Sequence, residues 1–269
     1  MQPNVSKQSY LTLIRVVLFY VCSIAVFALT SGLAKRIHEG FADLLSIFLA
    51  TILTFLLILL FTRWEKIKLK DIGFISGRKE NIRFISGFIV GLTMVVLQVL
   101  ITLCFGHYQI KLGQGISLIN CLLFFFLYFF AALREELVFR SYALRSLNYA
   151  VGPIVAILFT AVLFIAEHII AGVDWRMAIL GNGLGALLFS IAALKTKGLA
   201  LPLGLHFAWN FGQWLFGLKN GHGVWTPFIE NGFESHVKMV ATIAYVLVMV
   251  TAITGICIFY KKPRLAEDK

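Results

Sequence analysis

Of 269 residues, 59% are hydrophobic and only 14% charged, giving a mean hydropathy of +0.88. That composition excludes a water-soluble domain with a polar surface. The net charge of +11 does not indicate a nucleic-acid partner, because the cations flank apolar segments instead of forming a basic stripe with interleaved aromatics on a polar module. They read as a topology signal and as an attraction to anionic membrane lipids.

Crossing a bilayer takes about 20 apolar residues, and eight stretches qualify in chain order: 9–33, 41–62, 84–106, 116–148, 150–172, 177–194, 198–218 and 239–260. The expected fold is all-α and polytopic, with about eight transmembrane helices around a polar intramembrane cavity. The first stretch is too long for a signal peptide and lacks a small-residue cleavage site, so it is expected to stay as a span. The 63–83 and 219–238 loops are too short for an independent domain. Residues 1–269 are therefore expected to form a single integral membrane domain.

Lys and Arg are unevenly spread between the loops. Seven lie in the 63–83 loop, and Lys7, the tail and the 134–145 and 195–197 regions add more on that side, against Lys35, Arg36, Lys111, Arg176, Lys219 and Lys238 on the other. The positive-inside rule then predicts cytoplasmic N- and C-termini. The loop-poor build points to a prokaryotic cytoplasmic membrane. Cys22, Cys104, Cys121 and Cys257 fall inside spans without metal-ligand spacing and are expected to pack as apolar residues, with no disulfide. Gly181-x-Gly183-x-Gly185 has neither a preceding strand nor a following Gly-Lys-Ser/Thr, so a close helix-packing face is expected there instead of a phosphate loop.

Three short segments break the apolar pattern: Glu135-Glu136-Leu-Val-Phe-Arg140, Phe164-Ile-Ala-Glu-His168 and His206-Phe-Ala-Trp-Asn210. Ionisable groups at membrane depth are costly and mark function. With no Pro or Gly before Gly152, the helix is expected to run unbroken through 134–145. Glu136 and Arg140, four apart, share a face and should pair. Glu135 is turned about 100° away and can face a cavity; the other reading is one buried ion network of all three. Phe164 and His168 lie on one face of the fifth span, while Glu167 is read as satisfying a partner near the outer surface or as hydrogen-bonding a facing helix. His206 and Asn210 present two neutral donors on one face, suited to a carbonyl oxygen that becomes negative under attack, or else interhelical polar glue. His206 comes much earlier in its span than His168 does in its own, so a shared site requires a tilted or inset helix, or a water-filled cavity.

In order and placement these motifs resemble the CAAX protease and bacteriocin-processing family, the abortive-infection-like membrane proteins that include type II CAAX prenyl proteases. The family pattern EExxxR, FxxxH and HxxxN/D is complete here as Glu135-Glu136-Arg140, Phe164-His168 and His206-Asn210, within a similar core of roughly 116–218. Ser141 replaces the Gly that many members carry after the Arg, and is expected to tighten the helix locally. The resemblance implies an intramembrane glutamic endopeptidase that cuts a membrane-associated or lipidated peptide approached from the cytoplasmic side. It also implies the roles: Glu135 with His168 activates water, His206 with Asn210 stabilises the oxyanion, and Glu136, Arg140 and Phe164 support them. No cofactor is called for on this reading. The alternatives are a zinc-dependent membrane protease, disfavoured by the absence of His-Glu-x-x-His and by Asn210 as a poor ligand, and a non-catalytic peptide-binding or bacteriocin-immunity protein. A transporter lacks its expected inverted repeats of broken helices.

Overall fold

The computed structural model describes residues 5–36, 41–113, 117–219, 221 and 223–260. The expected start of the fourth span at 116 and the cations beyond Tyr260 lie outside these residues. Ten helices follow one another: α1 (Val5–Ala34), α2 (Ala42–Glu65), α3 (Arg78–Phe105), α4 (Leu118–Glu136), α5 (Leu144–Val151), α6 (Pro153–Ile170), α7 (Trp175–Met177), α8 (Gly183–Thr196), α9 (Ala200–Leu215) and α10 (Glu234–Phe259). Wide π-helical turns, Leu137–Ala143 and Ala178–Asn182, join α4 to α5 and α7 to α8. Among the described residues seven helical stretches are long and apolar enough to cross a membrane, and the protein is an integral membrane protein. The remaining expected span is α9, whose 16 residues extend about 24 Å.

Local sequence explains the breaks between helices. Ser117 caps α4 by accepting from the Asn120 amide at 3.2 Å. Gly152, at φ +85°, turns the chain where a side chain would be strained, and Pro153 then opens α6 at a position that needs no amide donor. Strands β1 (Tyr108–Leu112) and β2 (Trp225–Ile229) pair antiparallel between α3 and α10, a small ribbon that sequence reading did not anticipate. Alternation along the chain places the ribbon, the 171–174 connection and the 216–219 turn at one end of the bundle. The 66–77 segment and the α8–α9 turn lie at the other end.

Two apolar clusters make the core. One gathers α1, α2, the Leu137–Ala143 turn and α6 around Phe19, Phe139, Tyr142 and Phe164; the other gathers α3, α8, α9 and α10 around Val95, Phe189, Leu205 and Trp209. The polar motifs lie where these clusters meet.

Helix α9 is held by backbone contact with α3. A β-carbon on Gly91 would lie 2.5 Å from the Leu205 carbonyl oxygen, one on Gly87 would meet that of Leu201, and one on Gly204 would meet that of Phe84. In lipid, where apolar burial does not drive helices together, such close approach supplies the packing energy. The expected packing face at Gly181 and Gly185 is not found: a β-carbon on Gly181 would touch nothing, and one on Gly185 only Phe189 one turn along its own helix. Both glycines line a cavity instead, because the π turn at 178–182 opens the helix there.

Gly204→Ala should separate α3 from α9 and lower stability by about 1–3 kcal/mol. This would be read as a lower thermal unfolding midpoint in detergent, whereas Gly181→Ala should leave the midpoint near wild type.

Candidate active site

Helix α4 brings two adjacent carboxylates to the junction of the clusters, and their different directions give them different partners. Glu136 is fully buried. Its Oε1 accepts from His206 Nδ1 at 2.8 Å and lies 3.5 Å from Arg140 Nη1. Glu135, one residue earlier, turns into a cavity, with Oε2 3.5 Å from His206 Nε2. The imidazole of α9 thus sits between the two carboxylates. The Glu136–Arg140 pairing and the cavity-facing Glu135 are both present, and so is the single connected network that was the other sequence reading.

Arg140 is likewise fully buried. Its guanidinium lies over the rings of Phe164 at 4.5 Å, Phe189 at 5.4 Å and Phe139 at 5.5 Å, so aromatic faces provide much of the stabilisation that water would otherwise give. Phe189 also stacks on His206 at 4.4 Å and 15°. One cage of rings therefore holds both the cation and the imidazole.

The unbroken helix expected through 134–145 is replaced by the π turn, with non-helical ψ of −107° at Ser141. Ser141 Oγ donates back to the Leu137 carbonyl at 2.5 Å, a bond that bends helices. Ser141 thus sits at a kink in a widened turn, not in the tightened helix expected of it. Turns of this kind recur at functional sites.

His168 Nδ1 lies 2.9 Å from the Phe164 carbonyl oxygen. A carbonyl only accepts, so the Nδ1 nitrogen carries the proton and Nε2 is left for the cavity. Glu167 turns aside and pairs with Arg134, whose guanidinium lies over Phe27 at 4.7 Å. Of the two expected alternatives, this is the facing-helix partner.

Glu135, His168, His206 and Asn210 all line one cavity of about 540 Å³, together with Phe164 and Phe189. The two histidines nonetheless line the same cavity. Gly198 is buried against Glu80, and Leu199 packs on Gly73 at the start of α9; the Phe164 ring comes within 6.4 Å of His206.

The cavity's exposed lining residues, Met177, Leu180 and Lys238, belong to segments near the ribbon end. Towards the opposite end Glu136, Arg140 and Ser141 have no exposed surface. The cavity therefore opens at the end opposite the 66–77 segment. Among the described residues no group of three His, Cys, Asp or Glu side chains is arranged to hold a metal ion.

One cavity residue was missed in the sequence. Lys219 donates from Nζ to Asn210 Oδ1 at 3.0 Å and sits 4.9 Å from the centre of the Tyr128 ring. Counted only as a loop charge, it lies nine residues past Asn210 with no helical spacing to betray it, because the chain turns back after α9.

Residues 117–212 match the family of Rce1-like type II CAAX prenyl endopeptidases. The matched segment contains all three motifs. Over this segment the chain is similar to the CAAX protease family. The match supports a membrane protease, a hydrolase of the CAAX endopeptidase type. A search of curated proteins finds no match. Helices α1–α3, Lys219 and α10 lie outside the matched segment.

Arg140→Met should be strongly destabilising, about 3–5 kcal/mol, since it leaves Glu136 buried without its cation. Folded yield from membranes and the unfolding midpoint would show it. Glu136→Gln with Arg140→Met together should recover part of the loss.

Proposed function

We propose that the protein is an intramembrane endopeptidase in which Glu135 and His168 activate a water molecule and His206 and Asn210 stabilise the oxyanion. The observation that carries this reading is the convergence of these four side chains, from three separate helices, on one cavity within the bilayer span. Water is held between the Glu135 carboxylate and His168 Nε2. Glu135 takes a proton as the water oxygen attacks the peptide carbonyl carbon. The carbonyl oxygen becomes negative and accepts from Asn210 Nδ2 and from His206 Nε2, which is a donor in the doubly protonated ring held between the Glu136 and Glu135 carboxylates. On collapse the C–N bond breaks and the proton on Glu135 passes to the departing amine, leaving a new carboxyl terminus and a new amino terminus.

The substrate is a membrane-associated or lipidated peptide. With the termini on the cytoplasmic side of a prokaryotic membrane, as the loop charges predict, a cavity open at the ribbon end admits substrate from the outer side. This replaces the cytoplasmic approach expected from sequence and favours peptides displayed on the outer leaflet. In a cysteine-free background, Met177→Cys or Lys238→Cys should react in intact cells with a membrane-impermeant maleimide, while Gly77→Cys should react only after lysis. The reverse pattern would place the mouth in the cytoplasm.

Glu135→Gln should abolish cleavage, by at least about 100-fold, while the protein accumulates normally. The measurement is a mass-spectrometric comparison of new C-termini in membranes from cells making wild type or Glu135→Gln at equal levels. Fragments that depend on Glu135 establish proteolysis and reveal the substrate; identical fragment sets would favour a non-catalytic peptide-binding or immunity role. Loss of cleavage on chelation, restored by zinc, would instead favour the metalloprotease.

A further inference from the structure

The groups assigned to the oxyanion site leave one question of geometry open: what fixes the Asn210 amide. An Asn side chain presents an acceptor and a donor of nearly identical shape, and only its NH2 can stabilise an oxyanion. Lysine settles the choice. Its ammonium has three donors and no acceptor, so the Asn210 atom 3.0 Å from Lys219 Nζ must be the oxygen. The NH2 is then turned away from Lys219, and among the described residues no protein group accepts from it. The ammonium is itself held over the Tyr128 ring at 4.9 Å, in the wall of the cavity that contains Glu135, His168 and His206.

We propose that Lys219 is the positioning residue of the oxyanion site: by bonding Asn210 Oδ1 it turns the amide NH2 toward the scissile carbonyl, and it places a positive charge behind that amide. This inference rests on the proteolytic reading above and goes beyond it, since Lys219 lies outside the 117–212 segment that matches the family. A cation behind the amide also polarises the N–H that meets the oxyanion, an effect strengthened where water is excluded.

A pH signature follows. Burial lowers the Lys219 ammonium to about 8, with nearby Glu135 opposing that shift. As pH rises through that range the ammonium becomes a neutral amine, its charge is lost and activity falls. The other titratable groups facing the cavity are Glu135 and Tyr128 of α4, His168 of α6, His206 of α9, and Lys238 and Tyr245 of α10. Substituting Lys219 by arginine, which stays charged, leaves all of these in place, so an alkaline limb that moves with that substitution belongs to Lys219.

The experiment is steady-state cleavage of internally quenched peptides, with and without a C-terminal isoprenyl cysteine, by the purified full chain in detergent from pH 6 to 10. Wild type, Lys219→Met, Lys219→Arg and Glu135→Gln are compared. Expected results are a fall in kcat of about 10- to 100-fold for Lys219→Met with KM little changed, and substantial activity in Lys219→Arg with its alkaline limb shifted upward. Wild-type kcat in Lys219→Met, a loss confined to KM, or an unmoved alkaline limb in Lys219→Arg would overturn the role of Lys219 while leaving the Glu135 mechanism standing. Full activity in Glu135→Gln would overturn the proteolytic reading and this inference with it.

Discussion

A single carboxylate without access to water organises the centre of this protein. Glu136 binds the His206 imidazole on one side and faces the Arg140 guanidinium on the other, and each group makes the others tolerable at membrane depth. A buried ion loses its hydration, and only close partners offset that loss. The aromatic cage of Phe139, Phe164 and Phe189 completes the arrangement by surrounding a guanidinium with ring faces. Since Phe139 and Phe164 belong to one apolar cluster and Phe189 to the other, the same cation joins both halves of the core.

Division of labour between adjacent carboxylates follows from helix geometry. Consecutive helical residues point about 100° apart, so one can be committed to structure while its neighbour faces open space. Glu136 anchors the imidazole through Nδ1; Glu135 meets the same ring from the cavity side. His206 belongs to both the scaffold and the cavity. Its position is inherited from α9, which rests on α3 through glycines where no side chain fits.

Much of this was legible in sequence because it rests on short periodicities. The spans follow from apolar length, the Glu136–Arg140 pair from four-residue spacing, and the cavity-facing direction of Glu135 from its offset. What could not be read depends on departures from regular geometry or on tertiary proximity. Ser141 marks a kink whose cause, a hydroxyl bonding the Leu137 carbonyl, looks the same in sequence as a solvent-facing serine. The Gly181 and Gly185 pair has the spacing of a packing face, but the π turn that contains Gly181 directs the backbone to the cavity wall, and the close packing falls to Gly87, Gly91 and Gly204. Lys219 reaches Asn210 only because the chain reverses after α9, and reversals carry no periodic signal.

The buried floor beneath Glu135 has a consequence for the membrane itself. Polar space that stops short of the buried Glu136, Arg140 and Ser141 can hold water inside the bundle without making a continuous wire across the hydrocarbon. Protons and small ions that enter the blind well meet a fixed guanidinium and a wall of phenyl rings, and must return by the route they came. The insulation of the membrane is thereby preserved around a polar cavity.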